Sequence, residues 1–169
     1  MRPIKVYLAG KIPKGDEIGN LSDWRNEYIT LLKDCEISFI SPENPDLDES
    51  QPLLVFGHDC VLVREADIIV INAPDKLGVG TAQEMIIAKY FGKYVYTVLP
   101  PDTHHRRTNL NMHGRIIPDW IHPFVYAFSD KIFNNIHELV VYIKDNRKGI
   151  LDTSKKELHI IDDAISRYE

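Results

Sequence analysis

The sequence predicts a doubly wound α/β fold, and three observations carry that prediction. Short unbroken runs of β-branched and aliphatic residues, clearest at 68–71, read as strands buried on both faces. Segments between the runs repeat apolar residues at helical spacing. The one glycine-bearing turn with two carboxylates beside it follows such a run, and open α/β sheets bind ligands at the carboxyl ends of their strands.

Taken in order, Ile4–Ala9 reads as the first strand and Gly10 opens a loop with Lys11 and Lys14. That loop has neither the dinucleotide fingerprint nor the phosphate loop, so neither nicotinamide nor ATP is supported. The two lysines either meet a phosphate as point charges or are solvated. Ser22 suits the N-cap of a first helix whose core face holds Trp24, Tyr28, Leu31, Leu32 and Cys35, with Arg25 off that stripe and toward the surface. Ile37–Ile40 is the second strand, and residues 43–52 form an acidic, proline-bearing loop over the sheet rim. Residues 53–64 read as a helix interrupted by Gly57. On it, Asp59 points either to the rim and a ligand hydroxyl or to solvent.

Residues 66–100 are the centre of the chain. The strand 68–71 ends at Pro74, and Gly78 and Gly80 are expected to allow a tight turn with backbone close to a ligand. A helix from Thr81 buries Met85, Ala88 and Phe91 and stops at Gly92; residues 94–99 are the next strand. Glu84 is expected in the first turn of that helix, where the dipole keeps it ionised, and Asp75 on the loop before the glycines. An ionised, positioned carboxylate is either a nucleophile or only a partner of the helix dipole.

The polar loop from Pro100 contains His104, His105, Arg106 and Arg107, which either hold an anion or form an exposed basic contact. Residues 109–118 are expected to extend that loop, and residues 120–128 to be the last strand and its approach. Ser129 is expected to cap a helix striped by Ile132, Phe133, Ile136, Leu139, Val140 and Ile143. A capping box at residues 154–157 starts a last helix, within 150–169, that covers the domain or a partner subunit. The sum is a flavodoxin- or Rossmann-like five-stranded parallel sheet with helices on both faces, its loops at one sheet edge.

The chain of 169 residues fits a single domain, 1–169, able to bury roughly two thirds of its unfolded surface. With 25 acidic and 20 basic residues its net charge is −5, which argues against binding polymeric nucleic acid. No apolar run approaches membrane-spanning length, and Arg2 to Gly10 is too short for a signal peptide. Cys35 and Cys60 are isolated and lack metal spacing, so the expectation is a reduced, cytoplasmic protein with no metal and no cofactor.

Several motifs together resemble the nucleoside 2-deoxyribosyltransferase superfamily, which includes the deoxynucleoside 5'-monophosphate N-glycosidases. They are Lys-Val-Tyr-Leu-Ala-Gly at 5–10, Asp59 eight residues before Asp67, and Gly-Val-Gly-Thr-Ala-Gln-Glu leading to Gly92-Lys93-Tyr94-Val95. The resemblance implies that Glu84 attacks the sugar C1', that Asp59 holds sugar hydroxyls, that Asp75 handles the base or its proton, and that Tyr7 touches the nucleophile. The candidate substrate-binding residues beside Asp59 are Gly10, Lys11, Gly78, Gly80 and Thr81 from the loops at the rim, with His105 and Arg106 from the basic loop. Two departures stand out. Thr81-Ala82-Gln83 separate the second glycine from Glu84, and Lys11 and Lys14 replace the glycosidases' serine- and arginine-bearing loop. The Gly78-Val79-Gly80-Thr81 run is also similar to the signature of the cytokinin-activating phosphoribohydrolases, without their proline-glycine pair.

Both resemblances imply cleavage of an N-glycosidic bond of a nucleoside or nucleotide. A carboxylate beneath C1' stabilises the positive charge that builds on the sugar and traps it as a glycosyl ester. Entry of a second base then gives deoxyribosyl transfer, and entry of water gives hydrolysis of a deoxynucleoside 5'-monophosphate. The rival expectations are a non-catalytic nucleotide-binding module and a structural dimer. A homodimer or higher homo-oligomer is expected, because one small domain leaves the rim open.

Overall fold

The computed structural model describes residues 2–12, 24–152 and 158–168. Lys14, the expected cap Ser22 and the expected capping box at 154–157 lie outside these residues.

Five strands, β1 (Ile4–Ala9), β2 (Ile37–Ile40), β3 (Ile68–Asn72), β4 (Tyr94–Val98) and β7 (Lys131–Phe133), form an all-parallel sheet in the order β2-β1-β3-β4-β7. The two central strands show why the sequence reads as doubly covered. Ile4, Val6, Leu8, Ile68 and Val70 enter one core cluster, whereas Tyr7, Ala9, Ile69 and Ile71 enter the other. Side chains alternate across a strand, so apolar residues in succession need cover on both faces.

Helices α1 (Trp24–Leu32) and α5 (Ile136–Ile150) cover the first face through Tyr28, Leu32, Leu139 and Ile143. Helices α2 (Pro52–Glu65), α3 (Val79–Tyr90) and α4 (Pro123–Phe128) cover the second through Val63, Met85, Ala88 and Val125. The final helix α6 (His159–Tyr168) buries no residue fully; its Ile160 rests on the second cluster. No helix among the described residues is long and apolar enough to cross a membrane.

The segment after β4 departs from expectation. Residues 106–121 are not a loop but an antiparallel hairpin, β5 (Arg106–Met112) and β6 (Arg115–Ile121). Its turn is His113-Gly114, both with positive φ (52° and 80°), the two-residue geometry that matches strand twist. Residues 120–128 do not supply the last sheet strand: the chain ends β6 and turns into α4, with Pro123 at its start. The last sheet strand is β7, whose Ile132 and Phe133 were expected on a helix face. The helix cap is Asn135, which accepts the Glu138 N–H at 3.0 Å, rather than Ser129. Ser129 instead donates to the Val125 carbonyl at 2.6 Å and meets Thr97 Oγ1 at 2.7 Å.

Asp130 closes this excursion. It accepts from Val95 N–H at 2.7 Å and from the buried Lys89 ammonium, fixing the start of β7 to β4 and α3.

Candidate active site

The site is built from β1, α2 and α3 at the carboxyl edge of the sheet. The alternation of β1 turns Tyr7 toward the α2–α3 face, where it is 3% exposed. Helix α3 follows β3, the neighbour of β1, and returns Glu84 above Tyr7. The Tyr7 hydroxyl donates to Glu84 Oε1 at 2.8 Å.

Glu84 is not in the first turn of its helix. The helix begins at Val79, so Glu84 lies in the second turn, where the dipole has largely faded. Burial is the largest influence on its carboxyl and pushes the pKa up. The Tyr7 hydrogen bond and the Arg25 charge pull it down, Asp59 pushes it up, and the balance is a raised value. Tyr7 is pushed well above the ordinary phenol value, chiefly by burial and then by Glu84 and Asp59, so it stays a donor.

Asp59 sits on α2, which packs against α3. Its side chain is 42% exposed, with Oδ1 at 3.3 Å from His58 Nδ1, and its charge is felt at Tyr7, Glu84 and Cys60. The same surroundings push the Cys60 thiol up, as burial does, so that sulfur is poorly suited to nucleophilic work.

The glycines divide into two kinds. A Cβ on Gly10 would lie 2.7 Å from Trp24 Cζ2 and 3.3 Å from the Asn72 carbonyl, so only glycine fits between the end of β1, the end of β3 and α1. Gly78 has φ −69° and ψ 158°, which any residue adopts, and the expected glycine-dependent tight turn is not formed there. A Cβ on Gly78, the N-cap of α3, or on Gly80, in its first turn, would meet nothing within 4 Å, so packing does not require glycine at either position. Thr81 is buried in the first turn of that helix.

The remaining expected site residues make the following contacts. Asp75 is exposed on the β3–α3 loop, and no hydrogen bond or ion pair among the described residues joins it to Glu84, Tyr7 or Asp59. Lys11 is exposed; its carbonyl accepts from Trp24 Nε1 at 3.1 Å and from Arg25 at 3.5 Å. Arg106 spends its guanidinium on Asp119 at 2.8 and 2.7 Å, the Leu99 carbonyl at 3.0 Å and Asn134 at 2.7 Å. These bonds tie the base of the hairpin to the end of β4 and to the segment after β7. His105 accepts the Leu77 N–H at Nε2, 2.9 Å away. Asp67, which helps carry the family resemblance, is a structural anchor between Arg2, at 2.6 and 2.7 Å, and the Lys5 N–H, at 2.8 Å.

Two neighbours of the site were not singled out in the sequence. The guanidinium of Arg25 lies 4.5 Å from the Trp24 ring centroid and its charge reaches both Tyr7 and Glu84. Asn72 ends β3 and accepts from the Tyr28 hydroxyl at 2.8 Å. A signal existed for each: a cation beside an aromatic on the first helix, and a polar residue closing a fully apolar run. No group of three or more ligating side chains among the described residues could hold a metal ion.

Chemically, this is a carboxylate with one oxygen held by a buried phenol and a second acid on the adjacent helix. Comparison with known proteins is informative at the level of fold. No family model and no curated protein matches the chain. Among solved structures, a conserved protein from Enterococcus faecalis superposes with TM-score 0.60 at 16% identity, covering 85% of this chain and 99% of the other. A 2-deoxyribosyltransferase from Leishmania mexicana gives TM-score 0.59 at 15% identity, over 85% and 98% of the two chains. A 2-deoxyribosyltransferase from Bacillus psychrosaccharolyticus gives 0.53 at 19% identity, over 80% and 90%.

Proposed function

We propose that this chain, which shares the fold of solved 2-deoxyribosyltransferases, cleaves the N-glycosidic bond of a deoxynucleoside or its 5'-monophosphate. The deoxyribosyl group passes to another base by way of Glu84. The observation that carries this reading is the Tyr7–Glu84 hydrogen bond at the carboxyl edge of the sheet. A phenol on Oε1 fixes the carboxylate and leaves Oε2 to face C1'. In the first step Oε2 bonds to C1', the C1'–N bond breaks, and the electron pair leaves with the base, which takes up a proton. In the second step a nitrogen of the incoming base bonds to C1' and loses its N–H proton, which balances the proton taken up by the departing base, and the C1'–Oε2 bond breaks to regenerate the Glu84 carboxylate. Asp59 orients the sugar hydroxyls from α2. Asp75 serves the departing base in this reading, reaching it from an exposed loop that approaches the substrate.

Homo-oligomerisation belongs to the same reading. Leu53 (85% exposed), Val79 (79%) and Phe124 (70%), with Phe56, Tyr90 and Tyr126, present apolar surface along α2, α3 and α4. A stable interface covers roughly 800 Å² per partner, and these partly exposed aromatic and aliphatic side chains are the apolar surface that it would draw on. We assign it to a second copy of the chain.

The test is incubation with paired deoxynucleosides and 5'-monophosphates, with and without an acceptor base. Transfer predicts a new nucleoside only when acceptor is present, and loss of that product in Glu84→Ala with substrate binding retained. Substrate binding with no base release from any donor overturns the reading in favour of a non-catalytic nucleotide-binding module.

A further inference from the structure

The β5–β6 hairpin and the loop in front of α3 are joined through one imidazole. His105 precedes β5, and its Nε2 accepts the Leu77 N–H at 2.9 Å. A ring nitrogen that accepts must hold a lone pair, so the ring is neutral and its hydrogen is on Nδ1. That Nδ1 is buried without a hydrogen-bond partner, and so is Nδ1 of His122, whose ring centroid is 5.5 Å away. Among the described residues, the charged and titratable groups that act on His105 are all cationic or potentially so. They are His104 on its own segment, at 4.7 Å between centroids, His122 from the β6–α4 junction and Lys76 from the β3–α3 loop. No carboxylate is among them.

We infer that His105 is a positioning residue: its neutral imidazole latches the Leu77 amide and so fixes residues 73–78, the loop that carries Asp75 and leads into the Glu84 helix. Protonation at Nε2 removes the acceptor and places a cation beside Lys76 and His122, and the loop is released. Burial, His104, His122 and Lys76 hold the His105 pKa below its ordinary 6.5. The latch is therefore closed at neutral pH. Between the lowered value and 6.5 the unfolded chain binds the proton first, so the latch's contribution to stability falls as pH drops through that window. His105 acts through backbone here and needs no contact with substrate. Its effect on turnover rests on the reading of Glu84 as nucleophile; the latch itself does not.

The experiment follows the Leu77 amide and the His105 ring nitrogens by nitrogen-15 NMR from pH 8 to pH 5, in the wild type, His105→Gln and His105→Leu. In the wild type the Leu77 amide and His105 Nε2 should shift together, with one midpoint below 6.5. His105→Gln keeps an acceptor without a titrating group, so the Leu77 amide should hold its neutral-pH position throughout. His105→Leu should show the released position at every pH. It should also lower kcat/KM about tenfold, with His105→Gln restoring most of the loss. A Leu77 amide indifferent to His105 titration overturns the latch, as does a Leu variant with the wild-type Leu77 position. Should the Leu variant not fold, the wild-type titration and the Gln variant still decide the matter. Absence of base release from the wild type would end the catalytic reading while leaving the NMR result standing.

Discussion

The Tyr7 hydroxyl lies 2.8 Å from Glu84 Oε1, although the two residues are 77 positions apart in the chain. The contact follows from topology: β1 lies beside β3, and α3 is the helix that leaves β3. Because burial and the neighbouring carboxylates keep the phenol protonated, the donor is present across the pH range in which a carboxylate titrates.

Tyr7→Phe should reduce base release by about tenfold to a hundredfold, since a hydrogen bond to a charged group contributes about 1.5–3 kcal/mol. It should also move the acid limb of the pH–rate profile upward, because the Tyr7 bond is one of the influences that lower the Glu84 pKa. Initial rates across pH in both proteins check this; an unmoved acid limb counts against Tyr7 as the stabiliser of the ionised form.

Glu84→Gln should abolish turnover yet raise thermal stability at pH 8. The sign follows from a folded-state pKa raised above the ordinary 4.5. Above the raised value the native state holds a charge that burial disfavours, and below 4.5 both folded and unfolded chains are protonated and the penalty vanishes. The gain in melting temperature over the wild type should therefore be largest in mild alkali and shrink as pH falls through the raised value toward 4.5.

Arg106→Ala should weaken the fold rather than substrate binding. Its guanidinium ties Asp119, the Leu99 carbonyl and Asn134 together. Losing this network should cost about 2 kcal/mol, or roughly 5 °C in a domain of this size. An unchanged melting temperature with a sharply raised KM would instead make Arg106 a substrate contact.

If the proposed self-association uses these helices, Leu53→Glu combined with Phe124→Glu should weaken it, because both side chains are largely exposed apolar surface on α2 and α4. Sedimentation velocity of the two proteins reads the result; a wild-type monomer at micromolar concentration would remove the need for the face to be covered.

The sheet was legible because its strands announce themselves. Ile68 to Ile71 are all buried, and an unbroken aliphatic run has few other uses. The hairpin was not legible, because Arg-Arg-Thr-Asn-Leu-Asn-Met has little apolar content and its stability comes from cross-strand pairing and the His113-Gly114 turn. Strand β7 has three residues, too few for a period of two to show, and Ile132 and Phe133 fall at helical spacing from Ile136 and Leu139. Within the site, the Tyr7–Glu84 pairing was anticipated from family resemblance. Asp75 was not brought into contact with them, and Arg25 was overlooked because it lies off the core stripe of α1 and faces the site instead.

The clamp at Asp130 also bears on how such a protein diversifies. The main chain leaves β4 and rejoins the sheet at adjacent points, with Leu99 N–H on the Phe133 carbonyl at 2.9 Å and Asp130 N–H on the Val95 carbonyl at 2.8 Å. Everything between them, hairpin and α4 alike, is an insert whose two ends are already stitched together. Because those ends are held by main chain, the sequence of the hairpin can vary without unpinning β7 from β4, whereas α4 stays bound to the core through Val125 and Phe128.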